Sequence, residues 1–193
     1  WRRIQADLDD FGLLECSFEN FTDLPWAINL SKAGREILQS EEILFALRKI
    51  SNYEDFCMWQ NMFFDKSTGT VDHIDTWYLD TNPMGNLFGS WVALENIDGE
   101  GGVFHVYPKS HLYSNKEWMN TSHKEFITWS KKESQNYEKK PIFLQQGDLL
   151  LWHPSLIHGS SLQNKRGASR KSLTAHYHPI NLLRGKGGLK NID

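Results

Sequence analysis

Apolar residues fall into two textures along this chain. In SKAGREILQSEEILFALRKI, the apolar positions Ile37, Leu38, Ile43, Leu44, Leu47 and Ile50 recur at mostly helical spacing. Ser31 and Ser40 suit N-caps, and Glu41 and Glu42 follow the second with charges that favour a helix start. The pattern predicts one long helix with a break, or two short ones. From Phe56 onward the apolar runs shorten and turn residues separate them. FCMWQNMFF, NLFGSWVALEN, GVFHVYP, the two halves of KPIFLQQGDLLLWHP around a turn at Gln145–Asp148, LIHGSS and RKSLTAHYHP each read as strands. Between Ser114 and Lys140, the residues Trp118, Ser122, Phe126 and Trp129 share one helical face, which predicts a helical insertion. Short strands with glycine turns after a helical start predict a β-sandwich or barrel with helices on one side.

Residues 1–193 are expected to form a single domain. A helical N-terminal support covers 1–55 and a strand core covers 56–180, with the insertion at about 114–140. Residues 181–193, ending in RGKGGLKNID, are expected to be a loose C-terminal tail. The chain begins at Trp1 rather than methionine, so it is expected to be an N-terminally truncated fragment of something longer. A net charge of −3 argues against a general nucleic-acid binder. No apolar run approaches membrane-spanning length. Two cysteines, Cys16 and Cys57, form neither a disulfide framework nor a zinc motif, so the reducing cytoplasm is the expected compartment.

The chemistry lies in VDHIDTWYLD. In a strand, residues i and i+2 point to the same face, so His73 and Asp75 can both reach one point. A third ligand must come from a neighbouring strand, and GDLLLWHPSLIHGSS offers His153 or His158. His158 is preferred. It follows a break at Pro154, and Gly159, Ser160 and Ser161 beside it are small enough to leave room for a ligand. Two histidines and one carboxylate with open positions form the facial triad of non-haem Fe(II) oxygenases. Arg170 lies twelve residues after His158, close enough to return alongside it through a tight turn. Its guanidinium would hold the far carboxylate of a 2-oxo acid by two parallel hydrogen bonds. Lys171 points to the opposite face of a regular strand.

The ordered pieces His73-Ile74-Asp75, Trp91-Val92-Ala93-Leu94-Glu95, Pro108-Lys109-Ser110-His111, Gly147-Asp148, His158-Gly159-Ser160 and Arg170 resemble the phytanoyl-CoA dioxygenase family of Fe(II)/2-oxoglutarate oxygenases. The resemblance covers roughly residues 56 to 180. It implies a mainly β fold with flanking helices, a double-stranded β-helix of the jelly-roll, cupin-like type. It implies His73, Asp75 and His158 as iron ligands and Arg170 as the 2-oxoglutarate anchor, helped by Ser160, Trp91 and Gln60. It further implies Fe(II), 2-oxoglutarate and O2 as the reacting set, a small-molecule substrate, and hydroxylation with release of succinate and CO2. Asn61, Phe63, Trp77 and Trp152 are candidate walls of the substrate pocket, and each also fits plain core packing. The sequence departs from the family pattern at Lys109, where glycine is usual, and at the turn Gly101-Gly102-Val103-Phe104. Family halogenases replace the carboxylate ligand with a small residue, so Asp75 argues against halogenation. The rival of a different class is a non-catalytic jelly-roll module that binds a ligand or sugar.

Overall fold

The computed structural model describes residues 31–67, 69–112 and 116–185. Two short helices open it, α1 (Lys32–Leu38) and α2 (Glu41–Ile50). Ser31 caps α1 by accepting a hydrogen bond from the Gly34 amide at 3.0 Å. Ser40 precedes α2 without a side-chain cap bond, and Glu41 and Glu42 supply the negative charge of its first turn. Most of the N-terminal support expected over 1–55 lies outside the described residues.

Among the described residues, nine strands follow. They are β1 (Phe56–Phe64), β2 (Asp80–Asn82), β3 (Phe88–Ala93), β4 (Phe104–Val106), β5 (Lys140–Ile142), β6 (Leu149–Trp152), β7 (His158–Ser160), β8 (Ser172–Pro179) and β9 (Leu183–Gly185). One antiparallel sheet runs in the order β1-β8-β3-β6, and a second in the order β5-β4-β7. The two sheets enclose Trp91, Ala93, Ile97, Phe104, Val106 and Trp152. This is the double-stranded β-helix expected from the sequence.

The outer face of the larger sheet packs on the helices. Leu38, Ile43 and Leu47 meet Phe63, Val92, Leu173 and Ala175. Each such side chain taken fully out of water contributes about 1.5–3 kcal/mol. The Tyr177 hydroxyl donates to the Leu38 carbonyl at 2.6 Å and ties the end of α1 to β8.

The predicted insertion contains one helix, α3 (His123–Ser134), opened by a Ser122/Glu125 capping box. Its Phe126 stacks on Trp77 with ring centroids 4.6 Å apart. Among the described residues, no helix is long and apolar enough to cross a membrane. The expected loose tail needs correction at its start, because β9 pairs antiparallel with β2. Residues 186–193 lie outside the described residues.

Candidate active site

His73 and His158 face each other across an isolated antiparallel bridge, which sets the segment before Asp75 against β7, an edge strand of the smaller sheet. Each amide donates to the other's carbonyl at 2.9 Å. Each ring is then fixed the same way. His73 Nδ1 donates to the Val71 carbonyl at 2.8 Å, and His158 Nδ1 to the Leu156 carbonyl at 2.9 Å. With Nδ1 protonated, each Nε2 is left with a lone pair for a ligand.

Asp75 does not sit on a continuing strand. It opens a short 3-10 turn, Asp75–Trp77, whose carbonyl accepts from Tyr78 and Leu79. The turn is held against the β6–β7 connection by Thr76, whose amide donates to the Pro154 carbonyl and whose hydroxyl pairs with Ser155. The result places Asp75 Oδ1 3.6 Å from both imidazole Nε2 atoms. One ligand atom from each of the three residues lies within 4.8 Å of the others.

The second oxygen of Asp75 is occupied elsewhere. Trp152 Nε1–H donates to Oδ2 at 2.8 Å, and His176 Nε2 stands 3.2 Å from it without hydrogen-bond alignment. Burial pushes the Asp75 carboxyl up, but the imidazoles of His158 and His176 outweigh it and hold it well below the usual range. Burial pushes the His158 imidazole down to about 4. At His73 burial also opposes the charge, but the adjoining Asp75 carboxylate prevails and raises the imidazole above its ordinary value.

These side chains line a cavity of about 380 Å³, within the range of small-molecule sites. Arg170 enters it from the segment just before β8. Its residue is 4% exposed, its guanidinium carbon lies 5.4 Å from the centre of the Trp91 ring, and burial pushes its pKa down to about 10. Nε and Nη1 are buried and have no hydrogen-bond partner. A charged fork so placed strongly favours an incoming carboxylate. Lys171 turns away and pairs with Glu95 at 2.9 Å, as strand alternation predicts.

The remaining family pieces act as scaffold. Ser110 Oγ accepts from the Ile157 amide at 2.8 Å, which fixes the segment leading to His158. Lys109 adopts φ 71°, the left-handed conformation for which glycine is suited. Ser160 lines the cavity, and its Oγ accepts from the Thr70 amide at 3.0 Å. Gln60, Trp91 and Trp152 also line it.

Three expected pocket walls are corrected by their placement. Asn61 and Phe63 lie on the opposite face of β1 from Gln60, Met62 and Phe64, with Phe63 in the core under the helices. A bulge between Met58 and Gln60 shifts the alternation by one residue, so Phe56 and Met58 face the helices before it and Phe63 after it. Trp77 is carried away by the 3-10 turn into the cluster with Phe126. The room at Gly159 is also used differently. The Asp72 carboxylate fills it from the side away from the His–Asp–His cluster.

Sequence reasoning missed His176 and Tyr78, which both line the cavity. The signal for His176 was available, since Arg170, Thr174 and His176 share strand parity.

Solved structures with the same fold include the non-heme alpha ketoglutarate dependent carbocyclase SnoK from nogalamycin biosynthesis. It superposes with a TM-score of 0.68 at 16% identity, over 83% of this chain and 64% of that one. The epimerase SnoN, solved with Fe3+, alpha ketoglutarate and nogalamycin RO, gives 0.64 at 18% identity, over 80% and 62%. Among curated proteins, human peroxisomal phytanoyl-CoA dioxygenase is 31% identical over 110 residues, which is 54% of this chain and 32% of that protein. A phytanoyl-CoA dioxygenase domain-containing protein 1 from Danio rerio is 30% identical over 171 residues, 79% of this chain and 58% of that protein. The chain thus spans from a third to somewhat over half the length of these two curated relatives. The family model described as phytanoyl-CoA dioxygenase (PhyH) matches residues 22–172, and the chain belongs to that family.

Proposed function

We propose that this chain is an Fe(II)- and 2-oxoglutarate-dependent dioxygenase that hydroxylates a small organic substrate, with residues 1–193 forming one oxygenase domain. The observation that carries the reading is Arg170, a buried guanidinium with unpaired N–H groups in the same cavity as two imidazole Nε2 atoms and a carboxylate. A metal site alone would not need that cation, and a sugar-binding module would need neither.

The donor set fits the metal. Nε2 of His73, Nε2 of His158 and Oδ1 of Asp75 would hold Fe(II), a combination suited to it. Bound there, Fe(II) supplies dioxygen activation coupled to decarboxylation of 2-oxoglutarate, yielding succinate and CO2. The chain's own residues bind and orient. Arg170 grips the far carboxylate of 2-oxoglutarate, with Trp91 as the shelf under the guanidinium and Ser160 and Gln60 as further polar contacts. Trp152 occupies Asp75 Oδ2 and so leaves Oδ1 as the oxygen that would hold the metal. Phe104, Met62 and Phe64 line the cavity with apolar surface that limits water near the reacting atoms. Two cysteines in 193 residues support the cytoplasm as the compartment, and relatives named peroxisomal make that organelle the alternative.

The test is an anaerobic titration of metal-free protein with Fe(II) and 2-oxoglutarate, followed by the visible metal-to-ligand charge-transfer band. The parent develops the band and Asp75→Ala does not. Arg170→Ala requires about 30-fold to 100-fold more 2-oxoglutarate, the loss expected for a charge-assisted pair. Succinate release then screens substrates, and mass gain of one oxygen identifies hydroxylation. A folded parent without the band would leave the ligand-binding module as the better account.

A further inference from the structure

Asp72 precedes the ligand His73 and faces the other way. Its carboxylate takes two hydrogen bonds, one from β4 and one from the residue that follows it. His105 Nε2 lies 2.6 Å from Oδ1, and the Tyr107 hydroxyl donates to Oδ2 at 2.7 Å. His105 is in β4 and Tyr107 directly follows it. Yet Asp72 is not a neighbour of β4, because β7 runs between them.

The register explains how the contact is possible. His73 pairs with His158, so continuing the antiparallel pairing by one residue sets Asp72 beside Gly159. Gly159 pairs in turn with His105. Asp72, Gly159 and His105 therefore form one row across three chain segments, with glycine in the middle. A Cβ on Gly159 would stand 2.6 Å from Asp72 Oδ1 and 3.1 Å from His105 Nε2. The missing side chain is the passage through which the outer two residues meet. The adjoining row carries the proposed ligands on the other face, His73 opposite His158.

We propose that Asp72 is a positioning residue for the metal centre: joined to His105 and Tyr107 over Gly159, it locks the segment bearing His73 to the strand bearing His158. The inference rests on the metal reading of His73, Asp75 and His158. Without the lock, the 70–73 segment still has its edge bonds to β7, the two between His73 and His158 and those between Ser160 and Thr70, but loses its tie to β4. The ligands remain present, but their mutual placement loosens. Groups that orient first ligands in this way change metal affinity by about 10- to 100-fold when removed.

The experiment uses Co(II) as an air-stable probe of the same donors, with the purified 193-residue chain as parent. Equilibrium binding and the visible d–d absorption are measured for the parent, Asp72→Asn, Asp72→Ala and Tyr107→Phe, alongside the melting midpoint of each metal-free protein. The expected result is an affinity loss of about 10- to 100-fold in Asp72→Ala with an altered d–d band, and smaller losses in Asp72→Asn and Tyr107→Phe, which each keep part of the lock. If Asp72→Ala does not fold, the graded losses in the two milder variants carry the test. A role in stability alone lowers the melting midpoint while the folded protein binds Co(II) within about twofold of the parent with an unchanged band; that outcome overturns the proposal. A parent that binds no Co(II) overturns the metal reading itself, and this inference with it.

Discussion

Lys109 sits at φ 71°, where an L side chain crowds its own carbonyl at a cost of about 1 kcal/mol or more. The turn is kept because Ser110, the next residue, must hold the Ile157 amide just ahead of His158. Lys109→Gly relieves the backbone strain, and the greater chain entropy of glycine in the unfolded state offsets part of the gain. The expected net effect is a stabilisation of up to about 1 kcal/mol, read as a rise of about 2–4 °C in melting midpoint for a chain of this size. A drop in the midpoint would mean that the lysine side chain contributes more than its backbone costs. The same residue shows how much a family departure can conceal. The sequence pattern lacks the usual glycine, and the backbone adopts the glycine conformation anyway.

Strands β3 and β6 cooperate in a similarly local way. Gly89 pairs with Trp152, and a Cβ at Gly89 would collide with the indole. The bare glycine lets the indole lie where its N–H reaches Asp75 Oδ2. Trp152→Phe keeps the ring and removes the donor, so the fold should persist while Co(II) affinity falls about tenfold. Gly89→Ala should lower stability by about 1–3 kcal/mol through overpacking and weaken metal binding as well. Unchanged affinity in Trp152→Phe would show that the Trp152–Asp75 bond does not orient the carboxylate. Legibility divides at this scale. His73, Asp75, His158 and Arg170 were readable because their chemistry is rare in that order and because Arg170 and Lys171 obey strand alternation. Asn61 and Phe63 were not. FCMWQNMFF is apolar on both faces, one against helices and one into the cavity, and a bulge inside it shifts the phase. β8 does alternate, Ser172, Thr174, His176 and His178 against Leu173, Ala175 and Tyr177, so His176 was legible from the parity it shares with Arg170. The β2–β9 pairing joins three-residue strands about a hundred positions apart, too short and too distant to leave a pattern.

At the scale of the whole molecule, proton binding at the cluster couples folding to metal uptake. His158 has its imidazole pushed down to about 4, so between that value and the ordinary 6.5 the unfolded chain binds a proton that the fold excludes. Stability of the metal-free protein therefore falls as pH drops through this window. His73 acts with the opposite sign. Its value is raised, so its contribution is fully present below 6.5 and fades as pH rises through the folded value. The two therefore pull in opposite directions, His158 below the ordinary histidine value and His73 above it. Asp75, held well below 3.8, supplies a further contribution that is lost only in stronger acid. A metal reverses the effect of His73, because the ion needs the lone pair that the proton occupies. The rise in melting midpoint on adding Co(II) should thus grow from about pH 5.5 to about pH 8, with the steepest change as His73 gives up its proton. His73→Gln should abolish most of both the increment and its pH dependence. An increment that is constant over that range would mean that no proton leaves His73 on binding, and the ligand set would have to be reassigned.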